Sequence, residues 1–388
     1  MISPSRELAF CILMEVERGA FAADLLSTRS APLSSRDAGL AAALTLGVLR
    51  FRSQLDFLIE SQTGKPVSKL DAQVREALRM GVYQLRYMDR IPPHAAVSES
   101  VELVKQNGKR SAAGLVNAVL RKVSSAQLTW PERSVALSCP EWLLSRWTRA
   151  FGADAAETIG RAALTVPARY IRVPPGAAIP PGAAMSDGSL PTSVEGCFEI
   201  PPGVDLSSRA HEIRLQDIGS QSIAPLLQVE SSHRVLDLCS APGNKTAQLR
   251  ETGAWTVAAD ISPHRLNDVP GPKLVLDAQL PLPFLAAFDR ILVDAPCSGT
   301  GTIVHNPEIK WRLTEADIAR HSARQRSFLT QALAVLKPGG LLVYSTCSLE
   351  PEENEHVVEA VAPQRVVHTV RRMPGRDPGD GFFAAVLR

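Results

Sequence analysis

The 388-residue sequence has no Cys-x-x-Cys pair and no basic start leading into a long apolar core. Nor does it contain a run of about 18 apolar residues, the length needed to cross a bilayer. The first absence removes the usual spacing of structural zinc sites. The six cysteines, at 11, 139, 197, 239, 297 and 347, suggest no disulfide framework, so a reduced, cytoplasmic protein is expected. The other two argue against a signal peptide and a membrane span. Two nucleotide-binding fingerprints are also missing, Gly-x-Gly-x-x-Gly and the phosphate-loop pattern ending in Gly-Lys-Ser/Thr. Between residues 5 and 123 there is no alternating strand pattern, which leaves that third of the chain to helices.

What is present describes a soluble globular chain: 45% hydrophobic and 21% charged residues in 41.8 kDa, enough for two or three domains. Net charge is +2, unevenly placed. Residues 1–125 hold 17 Lys and Arg against 12 Asp and Glu, a balance of +5, and the remainder carries −3. A basic first third suits a polyanion such as RNA. An excess of five charges is also common on domains that bind none.

In "RELAFCILMEVERGAFAADLL" and "SSRDAGLAAALTLGVLRFRSQLDFLIE" apolar residues recur every three or four positions, with Ser34 or Ser35 placed to cap the second stretch. "DAQVREALRMGVYQLRYM" continues the pattern, and Pro92-Pro93 closes one helix before the next begins. Residues 126–211 read as a linker and a small irregular subdomain with few good strands. That region holds an amphipathic helix at 139–152, with Trp142 and Trp147 on its apolar side, and eight prolines from 167 to 202. From 212 onward strand and helix alternate. "RVLDLC", "WTVAAD", "KLVLD", "RILVD" and "LLVYSTC" are short apolar runs, and 314–336 is a long amphipathic helix that "KPGG" should stop. Such alternation implies an α/β fold with a parallel sheet covered on both faces, whose ligands bind at the carboxyl ends of the strands.

Polar groups fall at that edge. "LDLCSAPGNKT" joins a strand to a helix start, where a glycine lets the backbone approach a ligand and free N–H groups are offered. Asp260, 17 residues after Gly243, ends the next strand, where a carboxylate can accept both hydroxyls of a ribose. Asp277 follows the third run and can meet an adenine edge. Each aspartate taken singly could be a loop cap; three in succession, with Asp294 ending the next run, favour a nucleotide-like ligand. A free cysteine is usually a small buried hydrophobe. Cys11 fits that description on a helix's apolar stripe, and nothing around Cys139 or Cys197 suggests otherwise. Cys297 and Cys347 differ, because each stands just past a strand end, each is followed by serine, and the two strands should flank one cleft. A thiol is only partly ionised at neutral pH yet strongly nucleophilic, so a pair of them suits covalent catalysis.

Two resemblances follow from these residues. "LDAQVREALRMGVYQLRYMDRIPPHAAVSESVELVK" with "AAGLVNAVLRKV" resembles the NusB-type helical RNA-binding domain, over about residues 1–125. "DLCSAPGNKT", "DAPCSGTGTIVHNPEIKW", "YSTCSLEPEENE" and "GDGFFAAVLR" are similar to the successive motifs of Sun-type RNA (cytosine-5) methyltransferases, over residues 212–388. The combination resembles bacterial 16S ribosomal RNA methyltransferases. It implies an all-α NusB-like domain ahead of a class I, Rossmann-like domain dependent on S-adenosylmethionine. By that resemblance Cys347 attacks C6 of a cytosine, Cys297 assists proton removal and release, and Asp294 bonds the base's N3/N4 edge. The cofactor would lie along Cys239, Ser240, Ala241, Pro242, Gly243, Asn244 and Lys245, with Asp260 on its ribose, Asp277 near its adenine and Asp294 also in reach. Lys245 could contact the cofactor or the active site. The implied partner is 16S ribosomal RNA; no metal, no membrane and a monomer are expected.

The chain departs from the family pattern in three places. Asn244 replaces a glycine, and asparagine is the next most tolerant residue of a left-handed turn, so the loop should survive. Only sixteen residues separate Asp260 from Asp277 where the family carries a longer helix, which would open the adenine pocket on one side. Val304 and His305 stand where relatives often carry arginines, weakening an RNA phosphate contact. Two other readings stay open: the same chemistry on transfer RNA, or a non-catalytic RNA-binding assembly factor.

Overall fold

In the computed structural model, residues 2–123, 129–177, 192–201 and 213–388 are described. They form two compact units, one of residues 1–165 with 306–312 and one of 166–305 with 313–388. The division differs from the sequence-based one: the helices Glu141–Phe151 and Ala153–Ala162 join the first unit rather than a separate subdomain. Residues 178–191 and 202–212, which take in part of the proline-rich stretch, lie outside the described residues.

The first unit is helical. Its seven long amino-terminal helices run from Pro4–Val16 to Ala113–Val123, and Phe10, Leu44, Leu55, Leu78, Val104 and Leu120 meet in one core. Ser34 is the cap, its hydroxyl accepting from the Asp37 N–H at 3.1 Å, and the helix Pro93–Gln106 opens at Pro93. Trp147 is buried and Trp142 half-buried. Cys11 is exposed, contrary to its expected place on the apolar stripe; the buried side of its helix is formed by Ala9, Phe10, Ile12 and Leu13 instead. The segment 306–312 belongs to this unit although its neighbours in sequence do not. Within it Lys310 is fully buried, donating to the carbonyls of Arg50 (3.1 Å) and Ser138 (2.8 Å), and Trp311 Nε1 donates to Leu49 O (2.6 Å).

The second unit contains a small antiparallel sheet of β1 (Arg169–Arg172), β2 (Cys197–Ile200) and β3 (Arg214–Leu215), in the order β2-β1-β3, where the sequence promised few strands. Its main sheet has seven strands: β4 (Arg234–Leu238), β5 (Trp255–Asp260), β6 (Lys273–Val275), β7 (Phe288–Asp294), β8 (Leu336–Thr346), β9 (Val366–Arg372) and β10 (Phe382–Leu387). The order is β6-β5-β4-β7-β8-β10-β9. Strands β4 to β8 are parallel; β10 runs antiparallel to β8 and β9, so the sheet is mixed rather than wholly parallel. The long helix ends at Val335, but Lys337-Pro338-Gly339-Gly340 lies within β8 rather than before it. The pairing jumps from Phe288↔Leu336 to Arg290↔Leu341, so the extra residues form a bulge, with Gly339 at φ +76°.

Candidate active site

The strand order places β4 between two halves. β5 and β6 lie on one side of it and β7 and β8 on the other, a topological switch point of the kind that opens a crevice at the carboxyl edge. Every candidate residue lies at that edge. Residues 239–243 leave β4, and Asp260, Asp277 and Asp294 end or follow β5, β6 and β7. Cys297 lies three residues past β7, and Cys347 directly follows β8.

The loop after β4 is held open by its backbone. Cys239 has φ +64° and Gly243 has φ +102°. A Cβ on Gly243 would come within 2.8 Å of Val269 Cγ2, so glycine is required there both by its dihedral and by space. Asn244 is the first residue of the helix Asn244–Arg250 and is not among the left-handed positions. The loop keeps its form because the substitution falls inside the helix, not because asparagine tolerates a left-handed turn. Beneath it Asp237 is fully buried on β4 and accepts from the Thr246 hydroxyl at 2.5 Å. Burial pushes its carboxyl up to about 7 against the pull of that hydrogen bond. Burial also pushes the Cys239 thiol up, with Asp260 and Asp294 adding to it.

Asp260 accepts from Ala241 N at 3.1 Å and Ser262 N at 2.9 Å. Asp277 accepts from Gln279 N at 2.9 Å. The sixteen residues between them hold one short helix, Pro263–Leu266, and the three-residue β6, and Leu266 packs with Val269 against Ala258. Ile261 and Val275, flanking this edge, are 56% and 52% exposed.

Across β4, Lys245 Nζ lies 2.7 Å from Asp294 Oδ2, and the Ser345 hydroxyl donates to Asp294 Oδ1 at 2.9 Å. Burial works against the Lys245 charge, but the Asp294 carboxylate more than offsets it and raises its pKa. The thiols meet: Cys297 Sγ and Cys347 Sγ are 3.3 Å apart, both half-buried and free. The bond to Cys347 raises the proton affinity of Cys297 well above the ordinary thiol range, and burial adds to it. Thus the structure brings Asp294, Lys245, Cys297 and Cys347 together on one side of β4, with Asp260 and Asp277 on the other.

The comparisons agree with this arrangement. Residues 224–388 match the model of the 16S rRNA methyltransferase RsmB/F family, and residues 3–125 match the NusB family. A protein of Klebsiella pneumoniae named ribosomal RNA small subunit methyltransferase B is 33% identical over 416 residues, covering 96% of this chain and 95% of the relative. One of Bacillus subtilis, named probable ribosomal RNA small subunit methyltransferase B, is 32% identical, covering 92% and 87%. The chain belongs to the RsmB family of ribosomal RNA methyltransferases. It therefore joins a helical NusB-type domain to a Rossmann-like methyltransferase domain and is an RNA methyltransferase. Among solved structures, PH0851 matches with a TM-score of 0.82 at 23% identity, covering 100% of this chain and 99% of that one. NSun6 from Pyrococcus horikoshii, solved with SFG, matches at 0.52 and 21%, covering 64% and 98%. At these identities the likeness is one of fold.

Several residues of this RsmB-family site were not singled out from sequence. Asp237 supports the loop, Ser345 holds Asp294, and Glu353 receives both serines that follow the thiols. The repeated Cys-Ser pair was the visible signal for the last; its acceptor lay in the acidic run "EPEENE". Val304, one of the two departures from arginine, is buried, and His305 Nδ1 bonds Asp380 Oδ1 at 2.8 Å. Among the described residues no helix is long and apolar enough to cross a membrane.

Proposed function

We propose that the chain transfers a methyl group from S-adenosylmethionine to C5 of a cytosine in 16S ribosomal RNA through a covalent adduct between Cys347 and C6. The observation that carries this reading is the pair of thiols 3.3 Å apart, at the ends of adjacent strands and next to the strand bearing the Lys245–Asp294 pair. A structural cysteine pair would need neither the cleft edge nor the half-buried carboxylate and ammonium beside it. The names of the relatives supply the substrate class, ribosomal RNA of the small subunit.

The donor set fits the cofactor. The loop 239–245 leaves the central strand with the buried Ser240 hydroxyl lacking a partner among the described residues, and carboxylates follow the two strands beside it. Cys239 to Lys245 would hold the cofactor, with Asp260 toward the ribose hydroxyls, Asp277 toward the adenine and Asp294 at its reactive end. When bound, S-adenosylmethionine supplies the electrophilic methyl group that C5 takes up. The protein's own part is nucleophilic and acid–base. The Cys347 thiolate forms the S–C6 bond, and the C5–C6 electron pair moves to C5, making that carbon nucleophilic. Asp294, oriented by Lys245 and Ser345, bonds the N3/N4 edge of the base. Cys297 rests as the thiol; once its proton has passed to solvent, its thiolate takes the C5 proton after methylation. The electrons of that C–H bond restore C5=C6 and expel Cys347 as thiolate. The amino-terminal unit, with its net positive charge, would hold RNA phosphates.

The test is methyl transfer by the purified full-length protein to 16S ribosomal RNA from a deletion strain, read by nucleoside mass spectrometry. 5-Methylcytosine at a position unmodified in that strain is expected. Methylation of transfer RNA alone would overturn the substrate assignment. Cofactor binding with no transfer to either RNA would point to a non-catalytic assembly factor.

A further inference from the structure

Beneath the two thiols lies a group that neither methyl transfer nor cofactor binding uses. Glu353, in the turn Pro351–Glu353, is fully buried, and its carboxylate collects four donors. These are Ser298 N at 2.8 Å, Gln325 Nε2 at 3.2 Å, and the hydroxyls of Ser298 and Ser348 at short range. The two hydroxyls also lie 3.1 Å from each other. Each serine directly follows a thiol, so one carboxylate holds the residue after Cys297 and the residue after Cys347. The turn is itself pinned under β8: Tyr344 donates its hydroxyl proton to Glu353 O at 2.5 Å, and Asn354 Nδ2 donates to Ser348 O at 2.9 Å.

We infer that Glu353 is a positioning residue that fixes the two cysteine loops, and hence the two thiols, relative to each other for adduct formation and release. The inference rests on the covalent reading above. Both cysteines lie beyond the sheet's own hydrogen bonds, where only loop contacts set their direction, and misplacement by about 1 Å can cost about 100-fold in rate. A carboxyl group is costly to bury, and an apolar side chain could fill the same space. What an apolar residue could not supply is one acceptor common to both loops. Its charge also has a direction. Burial raises the Glu353 carboxyl's own pKa against the pull of the two serines, and its negative charge adds to the other influences that keep a proton on Cys297. Release needs Cys297 as a thiolate free to take up the C5 proton, and the same neighbouring charge makes that thiolate the stronger base.

The experiment compares full-length Glu353→Gln and Glu353→Ala with the parent. S-adenosylmethionine affinity is measured by calorimetry, and kcat and KM with 16S ribosomal RNA. The pH dependence of Cys297 alkylation by iodoacetamide is followed in a Cys347→Ser background. Expected for Glu353→Gln are cofactor affinity and RNA KM within about 2-fold of the parent, kcat lower by about 10- to 100-fold, and a Cys297 alkylation curve moved to lower pH. Glu353→Ala should lose more of kcat than Glu353→Gln. An unchanged kcat in either variant would overturn the inference, as would loss of cofactor affinity in step with activity, or an alkylation curve that does not move. If the Glu353 variants fail to fold, the Ser298→Ala/Ser348→Ala double variant cuts the same two links and must show the same fall in kcat. The alkylation curve requires no RNA. Failure of the covalent reading, seen as an active Cys347→Ala, is thereby separable from failure of this one.

Discussion

Around β4, the aspartates that end or follow β5 and β6 are held mainly by backbone N–H groups, whereas the groups following β7 and β8 are held by other side chains. Asp260 accepts from Ser262 N and Asp277 from Gln279 N and Nε2, two residues on, bonds that follow once the chain has turned at a strand end; Asp260 also accepts from Ala241 N, 19 positions back. Across the sheet, Lys245 reaches Asp294 over 49 positions, Ser345 reaches it over 51, and Ser298 reaches Glu353 over 55. The cofactor side is thus a matter of loop shape and tolerates local change, as Asn244 and the stripped sixteen-residue link illustrate. The thiol side depends on particular side chains meeting. Single substitutions there should be far more damaging, and in different ways.

The sharpest break in the comparison is between the thiols themselves. Cys347→Ala should abolish methyl transfer and form no covalent RNA adduct, with cofactor affinity intact. Cys297→Ala should still attack and methylate but fail to release, accumulating an RNA-linked species seen as a shifted band on a denaturing gel when cofactor is present. The opposite pattern would exchange the two roles. Full activity in both variants would make the thiols structural and remove the distinction between the halves.

The contrast also explains what could be read from the sequence. Strand ends on the cofactor side were legible because apolar runs stop at aspartates, and local turns then complete the site. The Glu353 junction was not, since no local pattern joins a serine after one strand to a glutamate 55 residues later. β9 and β10 escaped because an antiparallel pair at a sheet edge carries no helix between its strands, the signal by which the other strands were found. Segment 306–312 is a further case. Its lysine and tryptophan read as part of a methyltransferase motif, yet their hydrogen bonds go to carbonyls of the helical unit. A fragment starting near residue 210 would therefore strand Lys310 without its two acceptors, and it is a poor vehicle for separating RNA binding from cofactor binding.

Asp237 offers an intermediate effect on the β4 strand that both halves share. Folded, its carboxyl keeps a proton up to about pH 7; unfolded, it releases it near 3.8. Between those values the unfolded state binds fewer protons, so stability falls as pH rises and levels off above about 7. From pH 5 to pH 8 this one group should cost the parent about 3 kcal/mol. Asp237→Asn cannot ionise, so its stability relative to the parent should rise by that amount over the same interval. Denaturant unfolding at the two pH values checks it, and parallel curves would show that Asp237 does not hold a proton in the fold.

On the cofactor side the effects should be smaller and graded by burial. Asp260 is 6% exposed and Asp277 half-buried. Loss of a buried charged hydrogen-bond partner costs roughly 1–3 kcal/mol, so Asp260→Ala should weaken S-adenosylmethionine binding by that amount. Asp277→Ala, where water can replace the lost acceptor, should cost about 1 kcal/mol or less. Neither variant should alter the adduct-trapping behaviour of Cys297→Ala once cofactor is saturating, because no side-chain bond links these aspartates to Asp294, Cys297 or Cys347 among the described residues. Calorimetric titration of both variants, followed by the gel assay in each double variant at saturating cofactor, measures the two quantities separately. Unchanged affinity in Asp260→Ala would remove that residue from the cofactor site. An adduct that disappeared in the Asp277→Ala/Cys297→Ala variant at saturating cofactor would show that the two sides of β4 are coupled, and that the backbone-held side does more than bind.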